Sequence, residues 1–209
     1  MANLETLMGS LKTGSFGLAG FFTGYAEYLG KCLKGIDLEQ LTAVGEIFLR
    51  ARTDQKTLFF AGNGGSAATA SHFCQDVAEV GRKAGKEGFR VLSLTDNTAY
   101  VTAAGNDYGF DAIFTNQMAF LFQENDVLVV ISASGNSPNV VKAAQLARER
   151  KGIVIALVGF DGGLLKDMAD HVLRIPTIKG EYGPVEDGHL IVAHVITAFL
   201  TARLQTSKT

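Results

Sequence analysis

The sequence predicts an α/β domain: a doubly wound, mostly parallel, five-stranded sheet flanked by helices on both faces. Three observations carry this. Five short runs rich in β-branched or aromatic residues recur along the chain, at 57–61 (TLFFA), 89–94 (FRVLSL), 126–132 (DVLVVIS), 153–158 (IVIALV) and 171–175 (HVLRI). None alternates cleanly between apolar and polar, which is how strands buried on both faces of a parallel sheet read. Helical patterns separate them, and this alternation implies right-handed crossovers with ligands beyond the carboxyl ends of the strands.

Two helical segments precede the first strand, at 15–34 and 37–52. The earlier one is apolar around much of its circumference and holds Gly20, Gly24 and Gly30. Such a helix needs cover on several sides, from other copies of the chain or from its own core. Residues 1–36 are therefore read as an N-terminal helical segment for oligomer packing, and 37–209 as the domain that carries the sheet. A helix over 66–84 follows the first strand, and 98–121 holds two shorter ones. An amphipathic helix spans 139–151, and the last runs from about 184 to 204. No internal repeat, low-complexity tract or linker interrupts them.

Composition sets the outer limits. With 209 residues, 47% hydrophobic and 19% charged, the chain suits one α/β domain with a sizeable core and excludes intrinsic disorder. Lys and Arg number 19 against 21 Asp and Glu, a net charge of −2 that supplies no basic excess for nucleic acid. Two cysteines, Cys32 and Cys74, form no disulfide framework and suit a reducing compartment. Residues 1–15 lack the pattern of a signal peptide. Charges break the apolar stretches short of the roughly 20 residues of a membrane span. The expectation is a soluble cytoplasmic protein with no membrane or nucleic-acid partner.

Two loops stand out. Gly62-Asn63-Gly64-Gly65-Ser66 joins the first strand to its helix, where glycines let the backbone approach a ligand and Ser66 is placed to cap the helix. It is neither a P-loop nor a dinucleotide fingerprint, and a tight turn without a ligand is the alternative. The second loop, Ser132-Ala133-Ser134-Gly135-Asn136-Ser137-Pro138, gathers Ser132, Ser134 and Ser137 at one helix N-terminus. Hydroxyls, backbone N–H groups and the positive end of the helix dipole make a cradle for a phosphate held by neutral donors. Simple capping is the alternative.

On the helix after the first loop, His72 and Asp76 stand at i and i+4 and project from one face, a spacing suited to a shared metal or an acid/base pair. A surface pairing is the plainer reading. Glu79 faces a similar direction. The last helix carries Glu186, Asp187, His189 and His194, and a histidine hydrogen-bonded in the core is the alternative reading for either imidazole.

These loops, with Thr95-Asp96-Asn97 and Gly105-Asn106-Asp107-Tyr108-Gly109-Phe110 between them in the same order, resemble the sugar isomerase (SIS) domain family over about 37–204. Within it the chain is most similar to the phosphoheptose isomerases. The resemblance implies a flavodoxin-like three-layer sandwich and a phosphate site at Ser132, Ser134 and Ser137, with Asn63, Gly64 and Ser66 assisting. It also implies sugar contacts from Asp96, Asn97 and Glu186; capping of the following helix is the other role open to Asp96. Zinc, or another divalent metal, would be held by His72, Asp76, Glu186 and His194. Eight helical residues rise roughly 12 Å, so Glu186 and His194 of one chain meet on one ion only by leaning together, and His189 is the reserve.

The chain departs from the family in places. Asp76 and Glu186 stand where the family has Glu and Gln, and an acidic position at the entry to the last helix falls on Gly183. The implied activity is aldose–ketose isomerisation of a phosphorylated sugar through an enediol, sedoheptulose 7-phosphate to a heptose 7-phosphate. Asp76 would be the base and His194 its acid/base partner, in a homotetramer with sites between subunits. The rivals are an isomerase of another phosphosugar and a non-catalytic SIS regulator that binds a phosphosugar or a protein, one of whose relatives assists replication initiation.

Overall fold

A computed structural model describes residue 9 and residues 17–206. In chain order the elements are α1 (Leu18–Leu33), α2 (Leu38–Thr53), β1 (Thr57–Gly62), α3 (Gly65–Ala84), β2 (Arg90–Ser93), α4 (Thr98–Tyr108), a 3-10 turn (Phe110–Ala112), α5 (Thr115–Leu121), β3 (Val127–Ser132), α6 (Pro138–Glu149), β4 (Ile153–Gly159), α7 (Gly163–Met168), β5 (His171–Ile175) and α8 (Tyr182–Thr206). The sequence reading of residues 1–15 lies, Gly9 apart, outside the described residues.

All five strands are parallel, in the order β2-β1-β3-β4-β5. Strand order reverses between β1 and β3, where Gly62 pairs in register with Ile131. Loops leaving neighbouring strands at such a reversal diverge to opposite faces and open a crevice. Here they are the glycine loop and the serine loop.

The central strands β1, β3 and β4 fail to alternate because both faces are buried, whereas on the edge strand β2 only Ser93 is buried, contrary to the expectation of burial on both faces there. On β3, Val127, Val129 and Ile131 enter one core with Leu58, Phe60 and Leu157, under α1, α2, α3 and α8. Leu128 and Val130 enter the other with Phe59, Ala61 and Val154, under α4, α5 and α6. Rings anchor α3 in the first core, with Phe73 stacked on Phe48 at 5.7 Å and tilted against Phe60 at 5.1 Å between centroids.

Three expectations need correction. The short helix α7 was not foreseen, because six residues carry too little periodicity to show. The last helix starts at Tyr182, two residues before its proline. It is also long and apolar enough to cross a membrane by length and composition, with a window of mean hydropathy 1.2, contrary to the reading that charges interrupt every such stretch. Glu186, Asp187 and Arg203 lie near its ends and leave the middle uncharged. In the fold Val185, Val192, Ala193, Ile196 and Leu200 are buried in the α3-side core, so that apolar length covers the sheet.

The greasy N-terminal segment divides in two. Tyr28 and Cys32 of α1 are buried, while Leu18 and Phe22 are 86% and 71% exposed.

Candidate active site

The crevice between the β1 and β3 loops is lined by Asn63, Gly64, Gly65, Ser66, Ser132, Ser134, Ser137, Tyr182 and Glu186, with Ile131 and Ala133 behind them. Among the described residues no Lys or Arg lines it. Ser132 Oγ accepts the Gly135 N–H at 3.2 Å, and Ser134 Oγ accepts that of Asn136 at 3.3 Å. A hydroxyl that already accepts still has its proton to donate, so both remain donors toward the crevice. Ser137 occupies the N-cap position of α6 with Pro138 next, yet makes no capping bond. The simple capping role is therefore not what Ser137 performs.

Nor does Ser66 cap α3. The N-cap is Gly64, with φ 54° and no side-chain cap, and Ser66 is buried inside the first turn. The positive-φ turn at Gly64 starts the helix at Gly65, one residue before the serine. Two helix N-termini that no side chain caps thus face one crevice, an arrangement that favours an anion through N–H groups and dipoles.

The loops are locked to one another. Asn63 and Asn139 exchange both amide bonds at 2.8 Å across the crevice, and Asn139 Oδ1 also accepts the Val140 N–H at 3.0 Å. Asn63 lines the crevice, but its amide is committed to this pair. Asn139, buried at 1% exposure, escaped the sequence reading although it follows Pro138 in the first turn of a ligand-facing helix. Tyr182 also escaped it. Asn136 ties the serine loop to α7, donating to the Ser134 carbonyl at 2.9 Å and accepting from the Leu164 N–H at 3.0 Å.

Asp96 and Asn97 lie at the β2 end. The capping role weighed for Asp96 belongs to Asn97, whose Oδ1 accepts the Tyr100 N–H at 3.0 Å. Asp96 Oδ1 instead accepts hydroxyls from Ser71, Ser93 at 2.9 Å and Thr95 at 3.1 Å. Neither residue lines the crevice. Beneath them the Cys74 thiol is pushed up to about 12 by burial and then by the Asp96 charge, and burial also raises Cys32, so both free thiols stay protonated.

Of the four residues expected to share a metal, three converge. His72 Nε2 lies 3.3 Å from His194 Nε2 and 3.4 Å from Asp76 Oδ2, and His194 Nε2 lies 3.9 Å from that oxygen. Two imidazole nitrogens this close need a proton or a cation between them. Tetrahedral zinc with bonds of about 2.0–2.1 Å sets its ligand atoms roughly 3.3 Å apart, and two His with one carboxylate is a catalytic ligand set with an open position. The residues fit a divalent ion.

Glu186 does not join them. Its carboxylate lies over the first turn of α3, in the space a Cβ on Gly65 would occupy. Gly65 meets Glu186, and His72 meets His194 seven and eight residues further on. The two helices therefore run parallel, with the cluster about 10–12 Å along from the crevice.

The remaining candidates separate as well. Glu79 pairs with Arg82, whose guanidinium holds the carboxylate below its usual range. His189, the reserve ligand, is 1% exposed with neither ring nitrogen hydrogen-bonded among the described residues. Burial pushes its imidazole down to about 4, against a smaller opposing effect of the Val158 backbone.

Comparison with known proteins agrees with this architecture. Residues 24–159 match the SIS domain family. A phosphoheptose isomerase of Geobacter sulfurreducens is 40% identical over 166 residues, 79% of this chain and 86% of the relative. The solved phosphoheptose isomerase of Neisseria gonorrhoeae superposes with a TM-score of 0.78 at 32% identity, over 88% of this chain and 97% of that one. That of Francisella tularensis, at 24% identity, shares the fold with a TM-score of 0.79 over 88% and 96%. The chain belongs to the SIS domain family, among the phosphoheptose isomerases.

Proposed function

We propose that the chain isomerises sedoheptulose 7-phosphate to a heptose 7-phosphate, as an aldose–ketose isomerase, in the crevice and along the α3–α8 pair. The names of its relatives support the reaction. The observation that carries it for these residues is the convergence of His72, Asp76 and His194 on the same two helices whose N-terminal turns wall an anion cradle.

Ser132, Ser134 and Ser137 donate to the phosphate, with the Gly64 and Ser66 turn beside them, while Asn63 holds the loops in register. Glu186 and Tyr182 accept and cover sugar hydroxyls next to the phosphate. Asp96 and Asn97 stand outside the crevice lining, and Asp96 would meet the sugar only beyond it, through the oxygen that the hydroxyls leave free.

Isomerisation moves one hydrogen from C1 to C2 and a proton between the two oxygens. Asp76 removes the C1 proton, leaving a cis-enediol, and the same proton or another returns to C2 to give the aldose. His194, the acid/base partner of Asp76, carries the proton between the oxygens on the ring nitrogen that an ion on its Nε2 would leave free. A divalent ion, zinc as the first choice, would be held by His72, Asp76 and His194 and would supply polarisation of the carbonyl and its neighbouring hydroxyl.

The working form is a homotetramer with sites between subunits, supported by the exposed Leu18 and Phe22 of α1. The two free thiols suit a cytoplasmic setting. The test is NMR of sedoheptulose 7-phosphate with the purified protein in deuterated water, before and after chelation. The expected result is solvent exchange at C1 and C2 that chelation abolishes. Product formed at the full rate by Asp76→Asn would overturn the assignment.

A further inference from the structure

The α8 wall of the crevice is held from outside by α1. Tyr25 and Tyr28, three residues apart on α1, each donate a hydroxyl to a carboxylate at the start of α8. Tyr25 Oη reaches Asp187 Oδ2 at 2.6 Å, and Tyr28 Oη reaches Glu181 Oε2 at 2.7 Å. Each carboxylate is the chain neighbour of a crevice residue: Glu181 precedes Tyr182, and Asp187 follows Glu186. α1 itself contributes nothing to the crevice lining.

Three further features point the same way. Tyr28 is fully buried and Glu181 is 6% exposed, so water competes little for that bond. A Cβ on Gly183 would stand 3.1 Å from Tyr25 Oη, tighter than a side chain comfortably allows, so glycine there lets the hydroxyl pass to Asp187. Burial first, and the bonded carboxylate second, raise both phenols above their ordinary range, which keeps both hydroxyls protonated as donors. On the far side the Tyr182 ring meets Phe160 edge-on at 5.2 Å between centroids. The start of α8 is thus gripped at both ends of the segment that walls the crevice.

We propose that Tyr25 and Tyr28 are positioning residues for substrate binding: through Asp187 and Glu181 they fix where Glu186 and Tyr182 sit in the crevice. This rests on the crevice being the phosphosugar site. The consequence is an affinity effect from residues that touch no substrate.

The test uses the full chain with Tyr25→Phe, Tyr28→Phe and Asp187→Ala, and Tyr25→Phe combined with Asp187→Ala. Phenylalanine keeps the ring and removes only the hydroxyl. Calorimetry gives the Kd of sedoheptulose 7-phosphate, steady-state assays give KM and kcat, and hydrogen exchange is followed over 181–188. One neutral-donor bond corresponds to a weakening of Kd and KM by roughly threefold to tenfold, with kcat within about twofold. The combined variant should lose no more affinity than either single one, because both break the same link. Exchange should quicken over 181–188 and not in β3 or β4.

Kd and KM within twofold of the parent in folded Tyr25→Phe and Tyr28→Phe would overturn the proposal. So would affinity lost together with faster exchange throughout the sheet, the mark of general destabilisation. Should Tyr28→Phe fail to fold, Tyr25→Phe decides alone, since its bond is at the surface. A parent protein that binds the phosphosugar without turning it over would remove the isomerase reading and leave this one standing. One that binds none removes the crevice reading, and with it the proposal.

Discussion

Single side chains carry the sharpest consequences. Asp76→Asn keeps size and removes the base; turnover of sedoheptulose 7-phosphate should fall by about 10²–10⁴-fold with KM little changed. Ser134→Ala deletes one donor to a dianion and should raise KM by roughly 10–100-fold, the equivalent of about 1.5–3 kcal/mol for a hydrogen bond to a charged group. His189 gives a pH effect of opposite character. Its imidazole is depressed to about 4 in the fold, against 6.5 as the ordinary value. The unfolded chain therefore binds the extra proton between those values, and stability drops as pH falls from about 6.5 toward 4. The depression is worth on the order of 3 kcal/mol at its limit. Urea midpoints at pH 7.5 and 5.0 should show the drop in the parent and a smaller one in His189→Gln; equal drops would assign it to other groups. Why His189 was weighed as a ligand is plain: helical spacing from His194 says nothing about which face the sheet covers.

At the scale of elements, the strands were legible because burial on both faces leaves continuous apolar runs, and β5 agrees with its expected span residue for residue. Of the helix starts, 98 was read correctly, and two others were not. The Gly64 turn displaced the cap from Ser66, and Tyr182 opens α8 ahead of Pro184, because backbone conformation at a glycine is invisible to side-chain patterns. The Asn63–Asn139 pair joins residues 76 positions apart, so only the sheet's reversal brings it into being. Asn139→Ala should cost about 1–3 kcal/mol of stability by leaving the Asn63 amide unpaired, and should also raise KM by loosening both loops. Thermal unfolding and steady-state kinetics on one preparation check the two effects together. A stability loss with unchanged KM would confine the pair to a structural role.

For the whole molecule, the fold and the order of its motifs were readable at a distance, and the reaction followed from them. What could not be read was the partition of acidic residues: Glu186 faces the anion cradle while Asp76 faces the histidines, a division set by two parallel helices that come together only in three dimensions. Assembly is the other global property. Leu18 and Phe22 project from α1 uncovered, and on the tetramer proposed here they lie between subunits. Phe22→Asp should shift the species seen by light scattering toward smaller assemblies; an unchanged mass would move the interface elsewhere.

The parallel course of α3 and α8 gives the protein a ruler. A phosphate seated between the serine loop and the first turn of α3 fixes the zero mark, and the histidine–aspartate group lies a set number of helical turns along the scale. Only a carbon chain of matching reach brings its carbonyl to that graduation. Trimming carbons from the sugar should therefore cost turnover well before it costs phosphate-anchored binding.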